Sequence, residues 1–144
     1  MTGGTGFIGS SLIKRLVNEN YEVTALVRIK SNALPSKVIQ IEGDLTVPRS
    51  LGNIAENKDI VFHLAAGLPY HHLSDETYWA TNVCGTENLL ENCSHENIKR
   101  FVHVSTVGIY GSTSKQGLNE SSRIKLTDSY SITKFKGEEI VGAF

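Results

Sequence analysis

The segment that decides the fold is Met1-Thr2-Gly3-Gly4-Thr5-Gly6-Phe7-Ile8-Gly9. Its glycines at positions 3, 6 and 9 are three residues apart, and residues 10–17 after it have helix-forming character. Glycine allows a tight turn and a close approach between the backbone and a ligand. The free N–H groups and the positive dipole at the start of a helix attract phosphate groups. The segment therefore predicts a phosphate-binding turn that leads directly into a helix.

Length and charge limit the kinds of protein that this chain can be. Its 144 residues suffice for one domain with a buried core. The 14 Lys and Arg residues nearly balance the 15 Asp and Glu residues, so charge favours a small-molecule partner over nucleic acid or a membrane surface. No apolar run approaches the roughly 20 residues of a membrane span, and the first residues lack the pattern of a signal peptide. We therefore expect a cytoplasmic protein.

Strand-like and helix-like segments alternate along the rest of the chain. The predicted strands are residues 21–28, 38–41, 59–66 and 100–105; the predicted helices are residues 10–17, 49–56, 75–92 and 129–144; and a polar loop covers residues 112–128. This alternation predicts an α/β fold of the Rossmann type, a doubly wound parallel sheet with helices on both faces. A strand normally precedes a glycine turn of this kind, so we expect a sheet whose first strand is missing.

Tyr130 and Lys134 form a second candidate site. They are four residues apart on a predicted helix and share one face of it. A nearby ammonium favours the ionised phenol, and such a tyrosine can act as a general acid or base near neutral pH. The alternative is an exposed aromatic residue beside a solvated lysine. Ser105 and Thr106 end a predicted buried strand, where a hydroxyl can reach a substrate oxygen beside the tyrosine.

Six blocks of sequence together resemble one family. They are residues 2–9 (TGGTGFIG), 43–45 (GDL), 62–66 (FHLAA), 82–90 (NVCGTENLL), 104–111 (VSTVGIYG) and 130–134 (YSITK). In this order they resemble the extended short-chain dehydrogenase/reductases, specifically the NAD-dependent epimerase/dehydratase group. The resemblance covers nearly the whole chain, and it implies a single NAD(P)-binding Rossmann domain over residues 1–144.

The resemblance implies a role for each matching residue. The catalytic set would be Thr106, Tyr130 and Lys134. Tyr130 would exchange a proton with the substrate oxygen, and Lys134 would bind the nicotinamide ribose and tune Tyr130. Thr106 would orient the substrate oxygen; it is preferred to Ser105 because it lies four residues before Tyr110, where the family has its catalytic hydroxyl. The residues implied in cofactor binding are Gly3, Thr5, Gly6, Phe7, Ile8, Gly9, Arg28, Asp44, Leu45, Leu64, Ala65, Ala66, Ser105, Tyr130 and Lys134.

Arg28 bears on the choice of cofactor. In this fold an acidic residue at the end of the second strand binds the adenosine ribose and selects NAD. The matching position here is Arg28, with Lys30 and Ser31 nearby. A cationic pocket for the 2′-phosphate of NADP is therefore predicted, and NADP is favoured over NAD. The alternative is a surface arginine at a strand end.

The remaining polar candidates have less specific interpretations. Asn82 matches a helix asparagine that supports the site in the family, and an asparagine here can equally cap or brace a neighbouring strand. His63 and His103 lie in predicted buried strands, where we expect core residues with satisfied ring nitrogens. His71 and His72 are adjacent in a loop without an acidic or cysteine partner at ligand spacing, so we predict no metal site.

Two departures from the family pattern narrow the expected function. The family's sugar-nucleotide 4,6-dehydratases have an Asp-Glu pair directly after the catalytic threonine, whereas this chain has Val107 and Gly108. A 4,6-dehydratase of that type is therefore not expected. The remaining possibilities are a nucleotide-sugar epimerase or oxidoreductase, an NADPH-dependent ketone or aldehyde reductase of the steroid or flavonol type, and a non-catalytic dinucleotide-binding relative.

The second departure is length. The resemblance implies a strand before the turn and a C-terminal substrate-binding segment, and neither is in the sequence. We therefore expect a fragment with little or no activity by itself, in which Met1 is an internal position of a longer reading frame. The helices predicted at residues 75–92 and 129–144 match those that pair in family dimers, which implies a homodimer.

Overall fold

The computed structural model describes residues 1–111 and 117–144. In that part of the chain the strands are β1 (Thr24–Val27), β2 (Ile39–Glu42), β3 (Ile60–His63) and β4 (Arg100–His103). The α-helices are α1 (Phe7–Asn18), α2 (Asp75–Trp79), α3 (Gly85–Ser94) and α4 (Ser129–Ala143). A π-helical turn (Ala80–Cys84) joins α2 to α3, and short 3-10 turns lie at Pro48–Ser50, Pro69–His71 and Val107–Tyr110.

The sheet is parallel, and its two halves meet at the first two residues. β1 pairs with β2, and β3 pairs with β4. Between them, the backbone of Met1 is hydrogen-bonded to β1, and the backbone of Thr2 is hydrogen-bonded to Phe62 and Leu64. The spatial order is therefore β2, β1, residues 1–2, β3, β4. Met1 and Thr2 thus occupy the position of the first strand, which we expected to be missing. Thr2 forms only an isolated parallel bridge, with His63 of β3.

Helices cover both faces of the sheet, as predicted. Side chains alternate between the two faces along a strand, so Ala25 and Leu26 of β1 point to opposite sides. Ala25 belongs to an apolar cluster with Ile13 of α1, and Leu26 belongs to a second cluster with Leu89 and Cys93 of α3. Burial of an aliphatic side chain such as Ile13, which has no exposed surface, contributes about 1.5–3 kcal/mol.

The predicted helix over residues 75–92 is observed as three consecutive helical segments, Asp75–Trp79, Ala80–Cys84 and Gly85–Ser94. A π-helical turn bonds residue i to i+5, which rotates the faces before and after it relative to each other. The spacing of four and three residues predicts one packing face that contains Trp79, Val83, Thr86, Leu90 and Cys93. This prediction is wrong at Trp79, which is 46% exposed, whereas its neighbour Tyr78 is buried.

No α-helix forms over residues 49–56, so this prediction is also wrong. The 3-10 turn at Pro48–Ser50 is followed by irregular turns. Gly52 and Asn57 have φ values of +50° and +55°, which an α-helix does not tolerate. The side chain of Asn92 from α3 accepts from the Ala55 N–H and donates to the Gly52 carbonyl. The segment therefore forms separate turns with their own i to i+3 backbone bonds, and the Asn92 side chain adds two hydrogen bonds from α3.

Helix α4 confirms the last predicted helix and is fixed at its start by a capping box. The Asp128 carboxylate accepts from the Ser131 N–H at 2.8 Å, and the Ser131 hydroxyl accepts from the Asp128 N–H at 3.2 Å. Such a reciprocal pair satisfies two of the N–H groups that a helix start leaves free. The position of Tyr130 in the first turn of α4 is therefore set by local sequence.

The predicted loop over residues 112–128 is described only in part. Residues 112–116 lie outside the described residues, and residues 117–128 contain turns but no helix or strand. Among the described residues, no helix combines the length and the apolar character needed to cross a membrane.

Candidate active site

The glycine turn is packed too tightly for side chains at two positions. Gly3 has a φ of +67°, and a Cβ there would lie 2.6 Å from the Ala65 backbone nitrogen. A Cβ at Gly9 would lie 2.9 Å from the Gly3 carbonyl carbon and closer still to its oxygen. These contacts are with backbone atoms, which cannot swing aside as a flexible side chain can. The predicted tight turn is confirmed, and it is held between α1 and the loop after β3.

The start of α1 has the properties of an anion site. Thr5 and Gly6 are exposed, and Phe7 and Ile8 keep 94% and 58% of their surface in solvent. Gly6 is the N-cap, so no side chain caps the helix, and the first turn contains no acidic residue. The first N–H groups of a helix lack intrahelical acceptors and carry partial positive charge. These residues therefore fit the pyrophosphate of a dinucleotide.

Arg28 and Asp44 lie near each other at the ends of β1 and β2. Arg28 directly follows β1 and is exposed. Hydrogen bonds from Thr46, chiefly from its backbone N–H, lower the pKa of Asp44, and the charge of Arg28 acts in the same direction. Leu45 is only 7% exposed and belongs to the core, so its side chain is not available to a ligand, and its carbonyl accepts from Asn88. Residues 64–66 are half-buried beside Gly3.

Tyr130 and Thr106 meet at the end of β4. Thr106 begins the 3-10 turn after β4, and its hydroxyl accepts from the Gly108 N–H at 3.1 Å. Burial raises the pKa of Tyr130, while the nearby Thr106 side chain acts in the opposite direction. The phenol is therefore neutral at physiological pH and holds a proton that it can donate. The Tyr78 ring contacts the Tyr130 ring edge-on, with 6.3 Å between centroids.

Lys134 is buried, and its ammonium faces β4. The side chain is 3% exposed, and Nζ donates to the Val104 carbonyl at 2.6 Å and lies 3.4 Å from Nε2 of His103. Burial lowers the pKa of Lys134 to about 8, against the opposing effect of Glu138. The pKa of Tyr130 in this structure is set by burial and Thr106, not by Lys134.

His103 departs from its prediction as a satisfied core histidine. The ring is half-buried, and Nδ1 is buried without a hydrogen-bond partner in the described part of the chain. Because Lys134 donates to Nε2, the proton of the neutral ring is on Nδ1. Burial, with the charge of Lys134 as a second cause, lowers the pKa of His103 to about 4, so the ring remains an uncharged neighbour of the ammonium.

His63 confirms its prediction and is the centre of a buried hydrogen-bond chain. Nδ1 lies 2.7 Å from the Thr2 hydroxyl, and Nε2 lies 3.0 Å from the Thr86 hydroxyl. Thr2 accepts from the Ala65 N–H, and Thr86 donates to the Asn82 carbonyl. The Ala65 N–H at one end can only donate, and the Asn82 carbonyl at the other end can only accept. The Thr2 hydroxyl therefore donates to Nδ1 of His63, and Nε2 donates to the Thr86 hydroxyl. Burial lowers the pKa of His63 to about 3, which keeps this neutral tautomer.

Asn82 braces the loop after β3 against α4. Its Oδ1 accepts from the Gly67 N–H at 2.7 Å, and its Nδ2 donates to the Thr133 hydroxyl at 3.1 Å. Thr133 directly precedes Lys134 in α4. Asn82 lies in the π-helical turn and is 2% exposed. The structure therefore shows a brace between the loop after β3 and α4.

The chain as a whole matches one known family. The model of the NAD dependent epimerase/dehydratase family matches residues 1–144. The chain belongs to the NAD-dependent epimerase/dehydratase family. The predicted family and its Rossmann-type α/β fold are therefore confirmed.

Three relatives illustrate the range of this epimerase/dehydratase family. An uncharacterised UDP-glucose epimerase of Bacillus subtilis is 30% identical, over 97% of this chain and 49% of that protein. A dTDP-D-glucose 4,6-dehydratase of Dictyostelium discoideum is 31% identical, over 100% of this chain and 39% of that protein. The solved structure of MoeE5 in complex with UDP-glucose and NAD is 30% identical with a TM-score of 0.83, over 99% of this chain and 47% of that one. This chain spans less than half the length of each.

Two polar residues of this family member were not singled out from the sequence. Thr133 accepts from Asn82, and Glu138 accepts from the Ser105 hydroxyl at 2.7 Å. Glu138 lies four residues after Lys134, on the same helix face, and this spacing is the signal that would have found it. His71 and His72 are exposed, and residues 1–111 and 117–144 contain no cluster of three or more His, Cys, Asp or Glu side chains suited to a metal.

Proposed function

We propose that this chain is the cofactor-binding part of an NAD(P)-dependent enzyme that transfers hydride to or from a hydroxyl-bearing carbon of a nucleotide sugar, as a 4-epimerase or oxidoreductase. The observation that carries the proposal is the placement of the Thr106 side chain close enough to Tyr130 to affect its pKa, next in α4 to a buried Lys134. The names of the relatives, which include a UDP-glucose epimerase and a complex with UDP-glucose and NAD, support the substrate class. The activity is proposed for the whole protein, and for residues 1–144 alone we expect weak or no turnover.

In this proposal Tyr130 moves the proton. Its neutral phenol donates to the substrate oxygen when a carbonyl is reduced to a hydroxyl. In the opposite direction the ionised phenol accepts the hydroxyl proton as the carbonyl forms. The Thr106 hydroxyl, which lies near the phenol, orients the same oxygen. The nicotinamide ring, when bound, supplies or accepts the hydride at the carbon.

Lys134 is proposed to hold the nicotinamide ribose. An ammonium has three N–H donors, of which one is directed to the Val104 carbonyl and a second to His103. The third is the donor that we assign to a ribose hydroxyl. Because the pKa of Lys134 is about 8, the group is mainly charged at neutral pH. The same charge would then favour loss of the Tyr130 proton once a ligand draws the ammonium towards the phenol.

For the cofactor we propose NADP ahead of NAD, although the solved relative named above contains NAD. The support is the exposed guanidinium of Arg28 directly after β1, where a carboxylate would instead select NAD. Arg28 is close enough to Asp44 to lower its pKa. Its charge is therefore near the region where the resemblance puts the adenosine.

The residues after Thr106 support an epimerase or reductase over a 4,6-dehydratase. Dehydratases of this family have an acidic pair there, and this chain has Val107 and Gly108, which cannot remove a proton or protonate a leaving hydroxyl. Elimination of water is therefore outside the proposed chemistry. Reduction of a steroid- or flavonol-type ketone is the alternative, and product analysis with each substrate class distinguishes them.

We also propose that the protein pairs with a second copy through the helices at residues 75–92 and 129–144. Trp79 of α2 and Ile132 of α4 are 46% and 43% exposed, so each helix has a large apolar side chain on its surface. Sedimentation equilibrium measures the mass of the assembly, and a monomer would contradict the pairing.

The test of the function is Tyr130→Phe in the full-length protein. We expect turnover of UDP-glucose to fall by about 100-fold or more, because general acid–base catalysis contributes at least that much, with dinucleotide affinity nearly unchanged. Tyr21→Phe is the matched control, because Tyr21 is exposed and lies before β1, and it should retain full turnover. Unchanged turnover of Tyr130→Phe would refute the catalytic assignment.

A further inference from the structure

Ser105 and Glu138 form a hydrogen bond that joins the two segments of the candidate catalytic set. The Ser105 hydroxyl donates to Oε2 of Glu138 at 2.7 Å. Ser105 directly precedes Thr106 at the end of β4, and Glu138 follows Lys134 by one turn of α4. The bond therefore connects the residue next to Thr106 with the residue one helical turn after Lys134. None of the roles assigned above uses Glu138.

The Ser105–Glu138 pair also lines two cavities. A cavity of about 380 Å³ is lined by Thr106 and Glu120 among others, and a cavity of about 340 Å³ is lined by His103 and Val141 among others. Ser105 and Glu138 line both. The pair therefore borders both the cavity lined by Thr106 and the cavity lined by His103.

The carboxylate has a second effect, on the charge of Lys134. Burial lowers the pKa of Lys134, and Glu138 is the group that opposes this effect. The other charged or titratable groups near the ammonium are His103 on β4 and His63 on β3, whose pKa values of about 4 and about 3 leave them neutral. Glu138 is therefore the neighbour whose charge favours the ammonium.

We propose that Glu138 is a positioning residue, which ties α4 to the end of β4 through Ser105 and thereby fixes Lys134 relative to Thr106. The proposal rests on the proposed function for the roles of those two residues. A hydrogen bond to a carboxylate is short and directional. Between exposed side chains, however, it contributes little to the free energy of unfolding. Its main effect is therefore on geometry.

The test uses nuclear magnetic resonance on the purified protein, without substrate. The ε-methylene signal of Lys134, identified with Lys134→Arg, is titrated in the wild type, in Glu138→Gln and in Glu139→Gln. Glu138→Gln keeps an acceptor for Ser105 and removes the charge, so its Lys134 midpoint should fall below the wild-type value near 8. Glu139 is the matched control because it pairs with Lys136 on the surface of the same helix, and Glu139→Gln should leave the midpoint unchanged.

The geometric part is tested with the methyl signal of Thr106. Ser105→Ala and Glu138→Ala each break the bond and should shift this signal, and the double variant should shift it no further than either alone. Glu138→Gln should keep it near the wild-type position.

An unmoved Thr106 signal in both alanine variants would overturn the positioning role, and an unmoved Lys134 midpoint in Glu138→Gln would refute the charge effect of Glu138 on the ammonium. Both readouts are independent of turnover, so the proposal can fail while Tyr130→Phe still proves inactive. An active Tyr130→Phe would instead contradict the proposed function. Thermal unfolding of each variant verifies that the measured shifts come from folded protein.

Discussion

Gly9→Ala gives the most direct test of the glycine turn. The new Cβ would lie 2.9 Å from both the Gly3 carbonyl carbon and the Gly4 Cα, and it would overlap the Gly3 carbonyl oxygen. Ordinary contacts between such atoms are at least about 3.4 Å apart, so the turn and α1 must separate by on the order of 1 Å. All the contacted atoms are backbone, so the displacement has to move the N–H groups assigned to the pyrophosphate.

The size of the effect follows from this overlap. Inserting atoms into a packed site costs about 1–3 kcal/mol, and more where nothing can relax, so we expect a loss of about 3 kcal/mol. This is a large share of the roughly 5–15 kcal/mol that stabilises a typical domain. A displacement of about 1 Å in the binding groups should weaken dinucleotide binding by about 100-fold.

Two other glycines make the test specific. A Cβ at Gly6 would lie 3.3 Å from the Gly3 oxygen, so Gly6→Ala in the same turn should have a much smaller effect. A Cβ at Gly142 would meet nothing within 4 Å, so Gly142→Ala in α4 should stabilise the protein by up to about 1 kcal/mol. Urea unfolding and calorimetric titration with NAD⁺ and NADP⁺ measure both quantities. A Gly9→Ala variant with wild-type stability and affinity would refute the reasoning.

Two further predictions concern the cofactor and the pH dependence. Arg28→Asp should reverse the preference between NADP⁺ and NAD⁺ in equilibrium titrations, and a wild type that binds NAD⁺ more tightly would contradict the assignment of Arg28. Because the pKa of His63 is about 3 in the folded protein against an ordinary value of 6.5, the stabilisation that it gives is complete above about pH 6.5 and is lost as pH falls towards 3. Each pH unit below 6.5 should cost up to about 1.4 kcal/mol for this group, with His103 adding in the same direction. Between about pH 6.5 and 5 the carboxyl groups titrate lower, and the Met1 amino group, whose pKa burial lowers to about 6, contributes equally to the two proteins compared by urea unfolding. His63→Gln should show a shallower decline there, and an equal decline in both proteins would contradict the role of burial.

The parts of the fold that the sequence predicted are those in which local pattern and tertiary structure agree. β1 is rich in apolar residues and is buried along its length, and α4 begins at the Asp128 cap that its sequence contains. The prediction over residues 49–56 failed because the chain turns at Gly52, where φ is positive, and because Asn92, which is remote in sequence, bonds two backbone groups of the segment. No propensity of the segment itself could have revealed that partner.

The candidate site was predictable to a similar degree. Motif order and spacing brought together Thr106, Tyr130 and Lys134, and the structure brings Thr106 to Tyr130. The direction of the Lys134 ammonium towards the Val104 carbonyl was not predictable, since a carbonyl has no signal in the sequence. The π-helical turn was also missed, because periodicity assumes a constant number of residues per turn and therefore assigned Trp79 to the buried face.

The chain of hydrogen bonds through His63 has a consequence for the exchange of parts between relatives. It begins beside the glycine turn at Thr2 and ends at Asn82, whose side chain reaches α4. All hydrogen bonds in this chain are donated in the same direction. Valine in place of Thr2 or Thr86 would therefore leave a ring nitrogen of His63 buried without a hydrogen-bond partner. In a chimaera between two enzymes, Thr2, His63, Thr86 and Asn82 therefore have to be transferred as one unit. A crossover between the glycine turn and α4 that separates these four residues would break the hydrogen-bond chain that connects the turn to α4.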